Sequence, residues 1–198
     1  MPIRLVGRDV DHHQRCLWSA SLPTKKIPYF HTMEFFTSTI NSWKPLLTDD
    51  KLKLCIVHSL DWVVKTDKAK VHAFVIMPNH FHVLWTKLDA NYDLGGRIKS
   101  YTGSQFREYL LHQDPSLLQQ YTSTQEDREF HFWERRSRTI GIYNRQVAEQ
   151  KVDYIHNNPL QEKWNLCQRE EDYFYSSARF YLAGDLSFSF LSRYEDWI

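Results

Sequence analysis

Hydrophobic positions along the chain switch repeatedly between two periods. FFTSTI, from Phe35 to Ile40, is rich in aromatic and β-branched residues and predicts a strand. Thr48-Asp49-Asp50 then supplies a helix cap with acids in the first turn, where the helix dipole favours them. Leu52, Ile56, Leu60 and Val63 follow at helical spacing. Val71–Met77 is a compact apolar run that predicts a buried strand, and Pro78-Asn79 after it is turn chemistry. The next stretch alternates, with Phe81, Val83 and Trp85 on one face and His80 and His82 on the other. A second helix is predicted from Asp93 to Leu111, with Leu94, Ile98, Tyr101 and Tyr109 along its stripe. Residues 113 to 129 are weakly patterned and predict a loop, and the second half of Phe132–Ile142 predicts a strand. Asn144 caps a third helix, which must end before Asn158-Pro159 because proline disfavours helical geometry in the residue preceding it.

Strand, helix, strand, strand, helix, strand, helix is the order of a split βαβ arrangement. It predicts an α+β fold of the ferredoxin-like (RRM-like) kind, an antiparallel sheet with helices packed on one face. The other face would then be open or covered by the C-terminal segment. Residues 1 to 32 show no periodicity and are expected to be an extension. Residues 33 to 165 carry the domain, and residues 166 to 198 a segment packing on it.

With 198 residues, 42% of them hydrophobic and 15% aromatic, the chain is long and apolar enough for one full core. No apolar run approaches the roughly 18 residues of a membrane helix, and the N-terminus lacks a signal-peptide core. Cys16, Cys55 and Cys167 are odd in number and widely spaced, which excludes a disulfide framework and predicts a cytoplasmic protein. A net charge of only +1 sets the chain apart from proteins that grip duplex DNA through phosphates alone. Cations are nevertheless clustered locally, at Arg135, Arg136 and Arg138 and again at Arg97, Lys99 and Arg107; a solvated surface is the ordinary reading of such clusters.

His80 and His82, two residues apart on a strand, aim two imidazoles into the same space and so can offer two nitrogen ligands to one divalent metal. Two polar residues on a wet strand face are the alternative. On the third helix, Ala148, Val152 and Ile155 make the apolar stripe, and Tyr154 lies off it with Gln150, Lys151 and Asn158. Asn158 stands one turn beyond Tyr154, so its amide and the phenol can reach one site.

The stretches VHAFVIMPNHFHVLW, FWERRSRTI, VDYIHNNPL and DYFYSSARFYL occur in that order. Together they resemble the single-tyrosine HUH transposases, especially the REP-associated tyrosine transposases, over about residues 34 to 182. By that resemblance His80-Phe81-His82 is the HUH motif, Tyr154 the nucleophile and Asn158 the residue completing the metal site, with Mg²⁺ or Mn²⁺ as cofactor. The resemblance also implies single-stranded or hairpin DNA as the partner, which makes Arg97, Lys99, Arg135, Arg136, Arg138 and Lys151 the candidate DNA contacts. Nothing in the sequence decides between a monomer and a homodimer. The chain departs from its relatives in having Asn158 where some carry glutamine, Asn157 where an apolar residue is common, and a less basic GGRIKSYTGSQFREYL segment.

The resemblance implies attack of Tyr154 on phosphorus, giving a 5′-phosphotyrosine and a free 3′-hydroxyl. A tyrosine hydroxyl has a reference pKa of about 10 and is a poor nucleophile at neutral pH. A divalent ion that polarises the scissile phosphate therefore makes chemical sense. Two alternatives remain at this level. One is a catalytically inactive module of the same fold that binds single strands by stacking bases on aromatics. The other is a metal hydrolase that uses water and has no need of Tyr154.

Overall fold

A computed structural model describes residues 32–124, 126 and 129–198. The N-terminal extension expected over residues 1 to 32 lies outside them, apart from Thr32, which opens the first strand. The elements that build the domain are β1 (Thr32–Thr39), α1 (Asp50–Lys65), β2 (Ala69–Met77), β3 (His80–Lys87), α2 (Leu94–Gln113), α3 (Pro115–Gln119), β4 (Arg138–Ile142), α4 (Arg145–Asn157) and α5 (Ala178–Ala183).

Asp49 caps α1, its side chain accepting from Lys51 N at 2.8 Å. The stripe residues Leu52, Ile56, Leu60 and Val63 are all buried. Each contributes roughly 2 kcal/mol through burial, against about 1 kcal/mol for the cap, so packing decides the helix and the cap its start. On α2 the buried positions are Leu94, Gly95, Ile98, Thr102, Phe106 and Leu110. Tyr101, expected on that stripe, is exposed instead. Thr102 takes the inward place because its polar group is satisfied, donating to Ile98 O at 2.7 Å and accepting from Trp133 Nε1 at 3.0 Å. The 113–129 segment, expected to be a loop, contains the one-turn helix α3, started by Asp114 accepting from Leu117 N at 2.9 Å and by Pro115 in the first turn.

The sheet is antiparallel in the order β2-β3-β1-β4. This is the expected ferredoxin-like α+β arrangement, with β2 and β3 joined by the Pro78-Asn79 turn. Phe36, Phe74, Ile76, Phe81, Val83 and Trp85 meet α1 and α2 in one core. Contrary to the expectation of helices on one face only, with the other open or under the C-terminal segment, α4 packs on the second face. There Met33, Phe35, Ala73, Val75, Met77 and Leu84 meet its Ala148, Val152 and Ile155, with Tyr194 of the C-terminal segment beside them. The C-terminal segment runs along the free edge of β2, where Ile76 N donates to Tyr175 O at 2.9 Å, Ser177 N to Phe74 O at 2.9 Å and Ser192 N to Val71 O at 3.0 Å. Those bonds pair the backbone groups that an open edge would leave exposed. Among the described residues no helix is long and apolar enough to cross a membrane.

Candidate active site

The α4 side of β3 carries His80 and His82, and the register fixes what surrounds them. His82 sits opposite Thr37 of β1, and Thr37 Oγ1 lies 2.8 Å from His82 Nδ1. Phe35, two residues earlier on the same face, stacks on the His82 ring at 5.3 Å. The two imidazoles lie 4.7 Å apart, centroid to centroid. They are buried rather than on a wet face, since α4 covers them.

His80 is oriented by the residue before it. Asn79 Nδ2 donates to the Trp43 carbonyl at 2.9 Å, and a carbonyl can only accept, so Asn79 must turn its Oδ1 toward His80. That oxygen lies 2.7 Å from His80 Nδ1, which therefore carries the proton. The Nε2 lone pair is left for the pocket.

Burial pushes the His80 pKa down to about 4, with the Lys163 charge acting the same way and a hydrogen bond with the Asn158 side chain opposing it. Burial pushes His82 down to about 3, reinforced by the charges of His80, Lys151 and Lys163. Both rings are neutral at physiological pH, the form that ligates metals.

Helix α4 brings the remaining groups. Asn144 accepts from Val147 N at 2.9 Å, and the Ala148, Val152 and Ile155 stripe seats the helix on the sheet. Tyr154 then stands edge-on to His82 at 5.1 Å and to Phe35 at 5.9 Å, with 43% of its surface exposed. The Lys151 ammonium lies 5.0 Å from the Phe35 ring centre and 6.0 Å from that of Tyr154. Asn158, at the turn after α4, is only 1% exposed. His80, His82, Tyr154 and Asn158 thus line one pocket of about 440 Å³, together with Thr37, Trp43, Arg136, Arg138, Lys151 and Lys163.

His82 Nε2 and Asn158 Nδ2 are both buried without a hydrogen-bond partner among the described residues. A buried ring nitrogen left unpaired is costly unless something else occupies its lone pair. The His80 tautomer set by Asn79 also leaves an unprotonated Nε2, with the Asn158 side chain near that ring. Two imidazole nitrogens and one amide oxygen fit a divalent cation whose other positions are filled by water or phosphate. No group of three or more His, Cys, Asp or Glu is placed to hold a metal among the described residues, so the site has no carboxylate ligand.

The six cations singled out in the sequence separate. Arg136, Arg138 and Lys151 line the histidine pocket. Lys99 and Arg135 line a different cavity of about 520 Å³ between α2 and residues 129–135, where Lys99 Nζ donates to the Glu134 and Arg135 carbonyls at 3.2 and 3.1 Å. Arg97 packs over Tyr92 at 5.5 Å near the α1–α2 groove. Thr37, Trp43 and Lys163 were not singled out; the β1–β3 pairing and the return of the chain after α4 bring them in, while Asn79, read only as a turn residue, adjoins His80 in the chain. His156, on another face of α4, is buried and bonded to Ser177 Oγ at 2.9 Å, away from the pocket.

Neither family models nor curated proteins yield a match to the chain. Solved structures do. A REP-associated tyrosine transposase, solved bound to a REP hairpin, superposes with a TM-score of 0.55 at 21% identity, covering 77% of this chain and 79% of that one. A candidate transposase from Deinococcus radiodurans R1 has a TM-score of 0.38 at 14% identity, covering 66% of this chain and 93% of that one. The chain shares the fold of the first.

Proposed function

We propose that this transposase-like fold carries a metal-dependent endonuclease and strand transferase for single-stranded DNA, probing for a hairpin beside its cleavage point. The observation that carries the reading is the convergence of Tyr154, His80, His82 and Asn158 on one pocket with Arg136, Arg138, Lys151 and Lys163. The hairpin comes from the solved neighbour, whose ligand is one.

The cations seat the phosphates of a single strand through charge-assisted hydrogen bonds. His80, His82 and Asn158 hold Mn²⁺ or Mg²⁺, with nitrogen ligands favouring manganese. When bound, that ion polarises the scissile phosphate and stabilises charge on its oxygens. Tyr154 is fixed for attack by its edge-on packing to His82 and Phe35. Its Oη–P bond forms as the P–O3′ bond breaks, leaving a 5′-phosphotyrosine and a 3′-hydroxyl, with the phenolic proton passing to solvent and the departing oxygen taking one. The Lys151 ammonium, 6.0 Å from the Tyr154 ring centre, is placed to meet a phosphate oxygen of the bound strand. Attack by another 3′-hydroxyl reverses the step and joins strands without an external energy source.

The chemistry of the ends tests this reading. An oligonucleotide hairpin with single-stranded flanks, drawn from DNA neighbouring the gene, is incubated with the protein and Mn²⁺. The expected 3′ end is a hydroxyl that a polymerase extends, while the 5′ end is blocked. A free 5′-phosphate without protein attached identifies a water-using hydrolase instead, and binding without cutting identifies an inactive module.

A further inference from the structure

Trp43 is 61% exposed, yet the fold holds it in a demanding shape. Ser42 and Trp43 are both left-handed, with φ of 58° and 57°. Residues with a Cβ seldom occupy that region, and a bulky indole there is an outlier. Three hydrogen bonds keep the turn: Ser42 N to Glu134 Oε1 at 2.8 Å, Trp43 N to Ile40 O at 2.9 Å and Asn79 Nδ2 to Trp43 O at 2.9 Å. An indole so exposed adds little burial in return for the strain. Backbone strain held in this way at the mouth of a site points to something the side chain touches.

The indole forms part of the pocket wall, with its centroid 6.2 Å from that of His80. Arg136, Arg138, Lys151 and Lys163 line the same pocket. An open aromatic face beside a cation cluster matches a single strand, which offers phosphates to the cations and the face of an unpaired base to the ring. A duplex keeps its base faces stacked inside and cannot offer one. We infer that Trp43 is the stacking platform for an unpaired base adjoining the phosphate held at His80 and His82. The inference rests on the single-strand reading above and extends it to a particular base. Asn79 gives the platform its precision: one amide holds both the Trp43 carbonyl and His80 Nδ1, so base and phosphate sites share one mount.

The test is fluorescence anisotropy of a labelled hairpin oligonucleotide with single-stranded flanks, in a Tyr154→Phe background that leaves the strand uncut. Trp43→Ala and Trp43→Phe are compared, with thermal unfolding checking that each is folded. Trp43→Ala is expected to bind about tenfold more weakly, and Trp43→Phe within about threefold, as one lost or retained base stack implies. A single abasic site is then walked along the flanks. At one position the abasic strand should bind Trp43-containing and Trp43→Ala proteins equally, and that position should adjoin the cleavage point. A loss in Trp43→Ala that is the same on every abasic strand overturns the platform, as does no loss at all. The parent reading fails separately, by the absence of a Tyr154-linked strand in protein that retains both residues.

Discussion

Asn79 Oδ1 lies 2.7 Å from His80 Nδ1 and fixes which nitrogen of that ring can face the pocket. Partners of this kind, which hold a ligand's orientation without touching the metal, are typically worth about 10- to 100-fold in affinity. Asn79→Ala is therefore expected to weaken Mn²⁺ binding at least about tenfold by titration calorimetry. His80 would remain in place, and the fold largely intact. Unchanged affinity would mean that the ring is held by its packing alone.

Acid should destabilise the protein well before its carboxylates protonate. His72, buried and bonded to Thr86 Oγ1 at 2.8 Å, has its pKa lowered to about 4 by burial, and burial does the same to His156. A histidine whose folded pKa lies below its unfolded value of about 6.5 gives stability that is present above 6.5 and lost as pH falls toward 4. At pH 5 each should have lost about 2 kcal/mol. Urea midpoints measured from pH 7.5 to pH 5 should decline steadily below pH 6.5. A flat profile would contradict the burial of neutral rings.

The partition of cations predicts a partition of effects. Replacing Arg136, Arg138 or Lys151 by Ala should weaken single-strand binding and lower the slope of log affinity against log salt by about 0.7 per contact. Arg97, Lys99 and Arg135, which line other surfaces, should change neither quantity appreciably. A slope lowered by the second group and left unchanged by the first would place the strand along α2 rather than over the histidines.

Much of this arrangement was legible in the chain. The α1 stripe, the Asn144 cap, the Pro78-Asn79 hairpin and the alternation at Phe81, Val83 and Trp85 all carried local signals that tertiary packing kept. The covered second sheet face was harder to see. β3 taken alone shows polar histidines there and predicts a face open or under the C-terminal segment, although the apolar Ala73–Met77 stretch of β2 is buried on both sides. Thr37, Trp43 and Lys163 had no periodic or motif signal, and their closeness to the histidines follows from strand register and chain return, which depend on long-range pairing. Asn79 was legible as a turn residue beside His80, but not as the partner that orients the ring. Trp43 shows the limit most sharply, because left-handed backbone at a tryptophan contradicts local preference and is imposed by bonds from Ile40, Asn79 and Glu134.

The central claim is that Tyr154 becomes covalently joined to DNA, and Tyr154→Phe tests it with the loss of one oxygen. The phenol is half exposed at a pocket mouth, so the substitution should leave folding and strand binding in place. Labelled single-stranded hairpin DNA incubated with protein and Mn²⁺ is resolved by denaturing electrophoresis. The intact protein should give a slow, protein-linked band, absent in Tyr154→Phe and in His80→Ala plus His82→Ala. Cleavage without such a band, or undiminished cleavage by Tyr154→Phe, would contradict the account.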